Sequence, residues 1–239
     1  MTSDPGLHVC GADGCRGGWA VATLRGGEVS VARVERLADV LAGAPTVLAV
    51  DMPIGLPTAA ERGGRLADRL ARQRLDSARG RSVFSPPARA ALGAETHAQA
   101  SAANRASGPD AVGLSQQAFG LFPKIREVDA LVTPAMQDGD AATRIVEAHP
   151  EVAFAEMSGG PGLGPSKKTA EGRALRLGLL RAAGIAAPET FRLPGVPLDD
   201  VVDALACLVV AVRVAEGTAL RLPPDPPRDA RGLAMEIWG

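Results

Sequence analysis

The first part of the chain alternates apolar and polar residues in the way that β-strands do. Glycine-rich turns separate its first three apolar segments, so we predict hairpin-connected strands at 7–12, 19–24 and 28–34. A short helix at about 37–43 leads to a fourth apolar segment at 46–50. That segment ends at Asp51, and the Met-Pro-Ile-Gly sequence after it stops the strand.

The rest of the chain is patterned mainly for helices. Residues 168–183 predict an amphipathic helix with Leu175, Leu179 and Leu180 on one face, and an almost wholly apolar helix is expected at about 198–216. Weaker patterns predict an exposed arginine-rich helix at 61–79, partly helical structure at 88–106, a strand at 144–148 and an edge strand within 229–238. This order of elements indicates an α/β fold with a mixed sheet.

The composition limits the class of protein. Hydrophobic residues make up 46% of the 239 positions, which excludes a predominantly disordered chain. The 26 basic and 27 acidic residues leave a net charge of −1, so an anionic partner needs a local basic patch. We expect no membrane span, secretion signal, disulfide framework or zinc finger, and a reduced cytoplasmic setting fits the three cysteines. The oligomeric state is not indicated.

Two aspartates at the ends of predicted strands are the first candidate metal ligands. Asp13 and Asp51 each follow apolar residues and precede a chain-breaking sequence. A carboxylate in that position projects from the edge of a sheet into a crevice where side chains of different strands can converge. Each aspartate could instead cap a turn. The two together, with further acids downstream, favour a metal site.

The further acids lie in the second half of the chain. Glu147, in the strand at 144–148, is a candidate catalytic carboxylate, whereas His149 could be a ligand or a structural histidine. Asp203 lies inside an apolar helix, where a carboxylate needs a cation or strong donors. Asp200 can share its helical face, although the helix dipole alone would explain Asp200. Such carboxylates suit Mg²⁺ or Mn²⁺, and two such ions can promote phosphodiester hydrolysis.

Basic residues are concentrated in one segment. Residues 61–89 contain eight arginines and three acids, a balance of +5 that could follow a phosphate backbone or form a solvated helix face. The glycine-rich turn at 11–18 could also hold a phosphate through backbone N–H groups. The candidate substrate-binding residues are Arg16, Arg79, Arg81, Lys124 and Lys168.

Seven segments together resemble the motifs of domain-of-unknown-function family 429: GADGCRGGWAVA (11–22), AVDMPIGLP (49–57), RSVFSPPAR (81–89), GLSQQAFGLFPKIREVD (113–129), EAHPEVAF (147–154), KKTAEGRALRLGLL (167–180) and DDVVDALA (199–206). The family is described as predicted nucleases with a ribonuclease H-like fold. The resemblance implies one ribonuclease H-like domain over 1–239, with an insertion at about 58–140 and a helix-flanked mixed sheet whose first three strands are antiparallel. It also implies that Asp13, Asp51 and Asp203 come from the first strand, the fourth strand and a C-terminal helix.

The sequence leaves three functions open. The first is a metal-dependent nuclease that hydrolyses phosphodiester bonds of DNA or RNA. The second is a hydrolase or phosphotransferase acting on a small nucleotide-like or phosphorylated substrate, and the third is a non-catalytic binding protein on the same fold. If the acids hold metal, we expect their carboxylates within roughly 4–8 Å of one another.

Overall fold

The computed structural model describes residues 6–239, except for the side chains of residues 77 and 78. Its main sheet is built from β1 (His8–Cys15), β2 (Gly18–Arg25), β3 (Glu28–Val34), β4 (Val47–Asp51) and β5 (Arg144–Glu147). The order across the sheet is β3-β2-β1-β4-β5. β2 runs antiparallel to β1 and β3, whereas β4 runs parallel to β1 and β5. The predicted mixed sheet with three antiparallel strands first is confirmed.

Helices flank this sheet. Their bounds are α1 Ala38–Leu41, α2 Leu66–Arg79, α3 His97–Ala106, α4 Gln116–Gly120, α5 Phe122–Leu131, α6 Pro134–Asp138, α7 Pro150–Ser158, α8 Ala170–Ala182 and α9 Leu198–Glu216, with short 3₁₀ turns at Gly80–Ser82, Arg89–Ala91 and Pro188–Thr190. Two short strands, β6 (Arg221–Leu222) and β7 (Ile237–Trp238), form a second sheet. Over residues 6–239, none of the helices combines the length and apolarity that crossing a bilayer requires.

Alternation along the strands divides the core into two layers. On β1, Val9 belongs to the layer that contains α9, whereas Cys10 and Ala12 pack on the opposite face with Phe122 and Ile125 of α5. Even and odd positions of one strand thus face different helices. This parity decides which face each acidic residue of the sheet reaches.

Helix α9 approaches β1 closely because the strand has a glycine at the contact. A Cβ atom at Gly11 would lie 2.1 Å from the backbone nitrogen of Leu208, so only a residue without a side chain fits. Asp203 lies five positions before Leu208 on this helix. The close approach therefore brings Asp203 to the edge of the sheet where β1 and β4 end.

The arginine-rich helix is not the exposed element that the sequence predicted. Ala67, Ala71 and Leu75 of α2 are fully buried and pack with Val152 of α7. The prediction was wrong because this inward face is narrow and made mostly of alanine. A stripe of small residues gives little hydrophobic contrast against the charged positions around it.

Two smaller predictions also need correction. Leu175 of α8 is 39% exposed, because the next residue, Arg176, takes the inward position and pairs with the buried Glu151. The C-terminal segment forms the predicted edge strand only in part. Within 229–238 the two-residue β7 pairs with β6, and it meets the main sheet beyond the end of β5 through a single parallel bridge between Trp238 and Ala148.

Candidate metal centre

Two neighbouring strands place two aspartates side by side. Asp13 of β1 pairs in register with Asp51, the last residue of β4. Asp13 has the same parity as Val9, so both carboxylates lie on the face that α9 covers. Asp203 of α9 completes the cluster, since one carboxylate oxygen from each aspartate lies within 4.8 Å of the other two. The structure therefore brings these three sequence-predicted acids together.

The three carboxylates ionise less readily than exposed ones. Burial, followed by the charges of Asp51 and Asp203, raises the pKa of Asp13 well above its ordinary value. Burial and the charge of Asp203 raise the pKa of Asp51 to about 8. Burial also raises the pKa of Asp203 to about 6, although the ammonium of Lys167 opposes this shift. A bound cation would favour the ionised form of all three residues.

One ammonium group contacts the cluster. Lys167 Nζ lies 2.5 Å from Asp203 Oδ2, whereas Asp203 Oδ1 is buried and has no hydrogen-bond partner within the described part of the chain. Burial lowers the pKa of Lys167, but attraction to the aspartates raises it above its ordinary value overall. One positive charge cannot neutralise three carboxylates. An unpartnered oxygen in an all-carboxylate donor set fits a hard divalent cation such as Mg²⁺ or Mn²⁺.

Glu147 lies near the cluster but on the other face of the sheet. It pairs in register with Val50, which packs on the face opposite α9. Its oxygens accept hydrogen bonds from Arg65 at 2.6 and 2.8 Å and from the Ile54 N–H group at 2.7 Å. Burial raises the pKa of Glu147 to about 7, and Arg65 opposes the shift. Glu147 therefore fixes the segment that follows Asp51.

Arg65 is the centre of this second network. Its side chain is 1% exposed and lies between the carboxylates of Asp68 and Glu147. It also donates hydrogen bonds to the carbonyl oxygens of Ile54 and Gly55. A buried arginine that satisfies two carboxylates and two carbonyl groups holds α2, β5 and the loop after β4 in fixed relation.

Asp200 and His149 lie at the margin of the cluster. Asp200 is half-buried one turn before Asp203, outside the group of three, and its charge contributes to the raised pKa of Asp13. His149 caps α7, because its Nδ1 accepts a hydrogen bond of 3.4 Å from the Val152 N–H group. Its Nε2 lies 3.4 Å from the carbonyl oxygen of Ser82. Burial lowers the pKa of His149, which favours the neutral form of the ring. These contacts match the structural alternative for this histidine.

Two cavities meet at Asp51. The larger, of about 470 Å³, extends from Asp13 and Asp51 to Phe84 and Gln117. The smaller, of about 240 Å³, is lined by Asp51, Asp203 and the basic residues Arg79, Lys167 and Lys168. The carboxylate cluster thus lies between a mixed apolar and polar cavity and a charged cavity that both basic and acidic side chains line, Glu151 among the acidic ones.

Three of the five predicted substrate-binding residues line these cavities, whereas Lys124 and Arg16 line neither. Arg81 is exposed and lines the larger cavity, and Lys168 is exposed beside the smaller one. Arg79 borders the smaller cavity but uses its guanidinium to hold the carbonyl oxygens of Leu163 and Gly164. Lys124 Nζ donates to the Gly18 carbonyl oxygen at 2.5 Å and lies 4.2 Å from the Trp19 ring centroid, while Arg16 is exposed in the β1–β2 turn.

Much of the positive charge of residues 61–89 is used inside the fold. The arginines of this segment that donate to buried or partly buried acceptors are Arg65, Arg69, Arg72, Arg74, Arg79 and Arg89. Arg62 and Arg81 are exposed. Most of these arginines therefore stabilise the fold of the segment through hydrogen bonds, and only part of the positive charge faces solvent.

Sequence reasoning missed two residues that shape the site. Lys167 is adjacent to Lys168, the candidate substrate-binding residue, and the sequence around them gives no reason to prefer one lysine over the other. Arg65 was counted with the surface arginines. The signal in the sequence was the spacing of four between the apolar residues Ala67, Ala71 and Leu75. This spacing marks the inward face of the helix, and all three residues are buried in the structure.

The fold and the site together define a mixed α/β protein with a carboxylate cluster at the carboxyl ends of two adjacent parallel strands. The chain belongs to the family described as "Protein of unknown function (DUF429)", whose model matches residues 11–228. Comparisons with curated proteins and with solved structures found no match.

Proposed function

We propose that this protein is a metal-dependent nuclease that hydrolyses phosphodiester bonds of DNA or RNA. The observation that carries the proposal is the convergence of Asp13, Asp51 and Asp203, with one oxygen of each inside a span of 4.8 Å. These residues would hold Mg²⁺ or Mn²⁺, which would activate a water molecule and stabilise the leaving oxygen. The oxygen-only donor set suits these metals better than zinc or copper.

The residues around the cluster suit a phosphodiester substrate. Lys167 and Lys168 line the smaller cavity, where a phosphate group beside Asp51 would meet positive charge. Arg81 is exposed at the larger cavity and would contact the next phosphate or sugar along the strand. The buried Arg65–Glu147 pair would keep the loop after Asp51 in place during the reaction. Positioning of the reacting groups in this way lowers the barrier.

The test is cleavage of single- and double-stranded DNA and RNA oligonucleotides with Mn²⁺, with Mg²⁺ and with a chelator. We expect metal-dependent cleavage that Asp13→Asn, Asp51→Asn and Asp203→Asn each reduce roughly a hundredfold or more. Asp225→Asn, at an exposed position and purified in parallel, is the matched control. Equal cleavage by all four variants would assign the activity to a contaminant and refute the proposal.

The larger cavity supports a second candidate function. Its volume of about 470 Å³ lies within the usual range for small-molecule sites, and Phe84 and Gln117 offer an aromatic face and an amide. A hydrolase or phosphotransferase for a small nucleotide-like substrate would use the same carboxylates. Metal-dependent turnover of mononucleotides or small phosphodiesters, without cleavage of any oligonucleotide, would favour this candidate.

A further inference from the structure

The side chain of Lys167 places its ammonium group in contact with the acidic cluster of Asp13, Asp51 and Asp203. Its Nζ lies 2.5 Å from Asp203 Oδ2, and the charges of Asp203, Asp51 and Asp13 all act on it. These are the three residues whose oxygens would surround a metal ion. The ammonium therefore lies where positive charge is most strongly attracted within the cluster.

We propose that Lys167 is an internal counter-ion that holds the cluster together without metal and is displaced when a divalent cation binds. The inference rests on the proposed metal site and adds a role for a residue of this chain. A divalent ion and an ammonium on the same carboxylate repel each other, and this repulsion is strong in a partly buried site. The divalent ion, which the carboxylates bind more strongly, then displaces the ammonium group of Lys167.

The surroundings of Lys167 allow it to move. Its side chain is 38% exposed, whereas that of Asp203 is 5% exposed, so the lysine reaches the cluster from the solvent side. It follows a glycine- and proline-rich loop, and the smaller cavity lies beside it. The four-carbon stem can swing into that cavity without disturbing α9. Asp203, by contrast, is fixed in the helix.

The chain offers a clean way to follow this displacement, because it contains only three lysines: Lys124, Lys167 and Lys168. Labelling the lysine side chains with ¹³C at Cε gives three NMR signals in the full-length protein, which Lys167→Gln and Lys168→Gln assign. On titration with Mg²⁺ we expect the Lys167 signal to move towards that of the exposed Lys168. The signals of Lys124, held by the Gly18 carbonyl group, and of Lys168 should change little.

Calorimetric titration with Mg²⁺ gives the second measurement. Removing the competing charge in Lys167→Gln should tighten the Kd for Mg²⁺ roughly tenfold, which corresponds to about 1.4 kcal/mol. Lys167→Arg keeps the charge and should remain near the wild-type Kd, as should the control variant Asp225→Asn, at an exposed position. If Lys167→Gln fails to fold, Lys124→Gln and Lys168→Gln assign the three signals instead, and the NMR titration of the wild-type protein decides the question.

The outcomes separate this inference from the proposed function. If Mg²⁺ binds and oligonucleotides are cleaved but the Lys167 signal does not move, the ammonium stays on Oδ2 while the metal uses Oδ1, and the displacement is refuted. The nuclease proposal would then stand. If Mg²⁺ and Mn²⁺ give neither heat nor a shift of any lysine signal, both proposals fail. An unchanged or weaker Kd in Lys167→Gln would also overturn the counter-ion role.

Discussion

Replacing Asp51 with asparagine should stabilise the metal-free protein, because the native carboxylate is held where ionisation is unfavourable. The pKa of Asp51 is raised from 3.8 to about 8, chiefly by burial and by the charge of Asp203. Since the pKa in the folded state is the higher one, this group contributes stability below about pH 4 that is lost as the pH rises through 8. At pH 7 the loss is at most about 4 kcal/mol, and at pH 5 it is below about 2 kcal/mol.

The asparagine side chain cannot ionise, so the Asp51→Asn variant should recover part of that free energy. Relaxation and water penetration will reduce the gain to about 2 kcal/mol at pH 7, which raises the Tm of a chain of this size by about 4–8 °C. The gain should shrink at pH 5. Mn²⁺ should raise the Tm of the wild type, because it binds only the folded state, and should raise that of the variant much less.

The assay is a set of thermal melts at pH 5 and pH 7, with a chelator and with Mn²⁺. Asp225→Asn removes an exposed charge and should change none of the four values. A variant of Asp51 that melts lower than the wild type at both pH values, with an unchanged response to Mn²⁺, would refute the reasoning. That result would identify Asp51 as a turn-capping residue, for which asparagine is an imperfect substitute.

Three further predictions concern the scaffold of the site. Arg65→Met should lower the free energy of unfolding by about 3–5 kcal/mol in urea titrations, because Asp68 and Glu147 lose their buried counter-ion. Arg69→Met removes an exposed pair with Glu61 and one hydrogen bond to the Gly64 carbonyl oxygen, so it should cost only about 1–2 kcal/mol. Equal losses in the two variants would contradict this prediction. Gly11→Ala should lower the free energy of unfolding by about 1–3 kcal/mol or more in the same titrations, since its Cβ would meet the backbone of α9. Gly93→Ala, where a Cβ has open space, should be nearly neutral. A neutral Gly11→Ala would show that α9 can move away from β1. The structure buries all three thiols, Cys10, Cys15 and Cys207, and burial raises the pKa of each. A thiol reagent should therefore react slowly with the native protein at pH 7.5 and rapidly in urea. Fast reaction of the native thiols would show that β1 or α9 opens easily.

The part of the site that could be predicted from the sequence depends on local patterns. Asp13 and Asp51 stand at the ends of apolar runs, and Asp203 interrupts an apolar helix, so each residue is conspicuous within a few positions. The antiparallel order of β1, β2 and β3 follows from the glycine-rich turns between them. The bounds of α9 and β3 match the predicted ranges of 198–216 and 28–34.

The remainder depends on contacts between distant positions. Arg65 is buried because Glu147, far along the chain, and Asp68 both reach it. Glu147 was grouped with the aspartates as a candidate, yet its register opposite Val50 turns it to the other face of the sheet. A shift of one position along a strand reverses the face of a side chain, and a sequence pattern does not fix register between strands. The choice between Lys167 and Lys168 also depends on a distant position, because only the contact of Lys167 with Asp203 distinguishes the two.

The segment 52–143 lies between two strands that are immediate neighbours in the sheet. It contributes most of the wall of the larger cavity, including Phe84 and Gln117, but none of the three clustered aspartates. The clustered carboxylates and most of the wall of the larger cavity therefore come from separate stretches of the chain. Substitutions at exposed cavity positions such as Arg81 can change what the larger cavity accommodates without altering β1 and β4, whereas the buried Arg65 of the same segment holds the loop after Asp51. The shape of the cavity at such exposed positions can therefore vary without a change in the geometry of the carboxylate cluster.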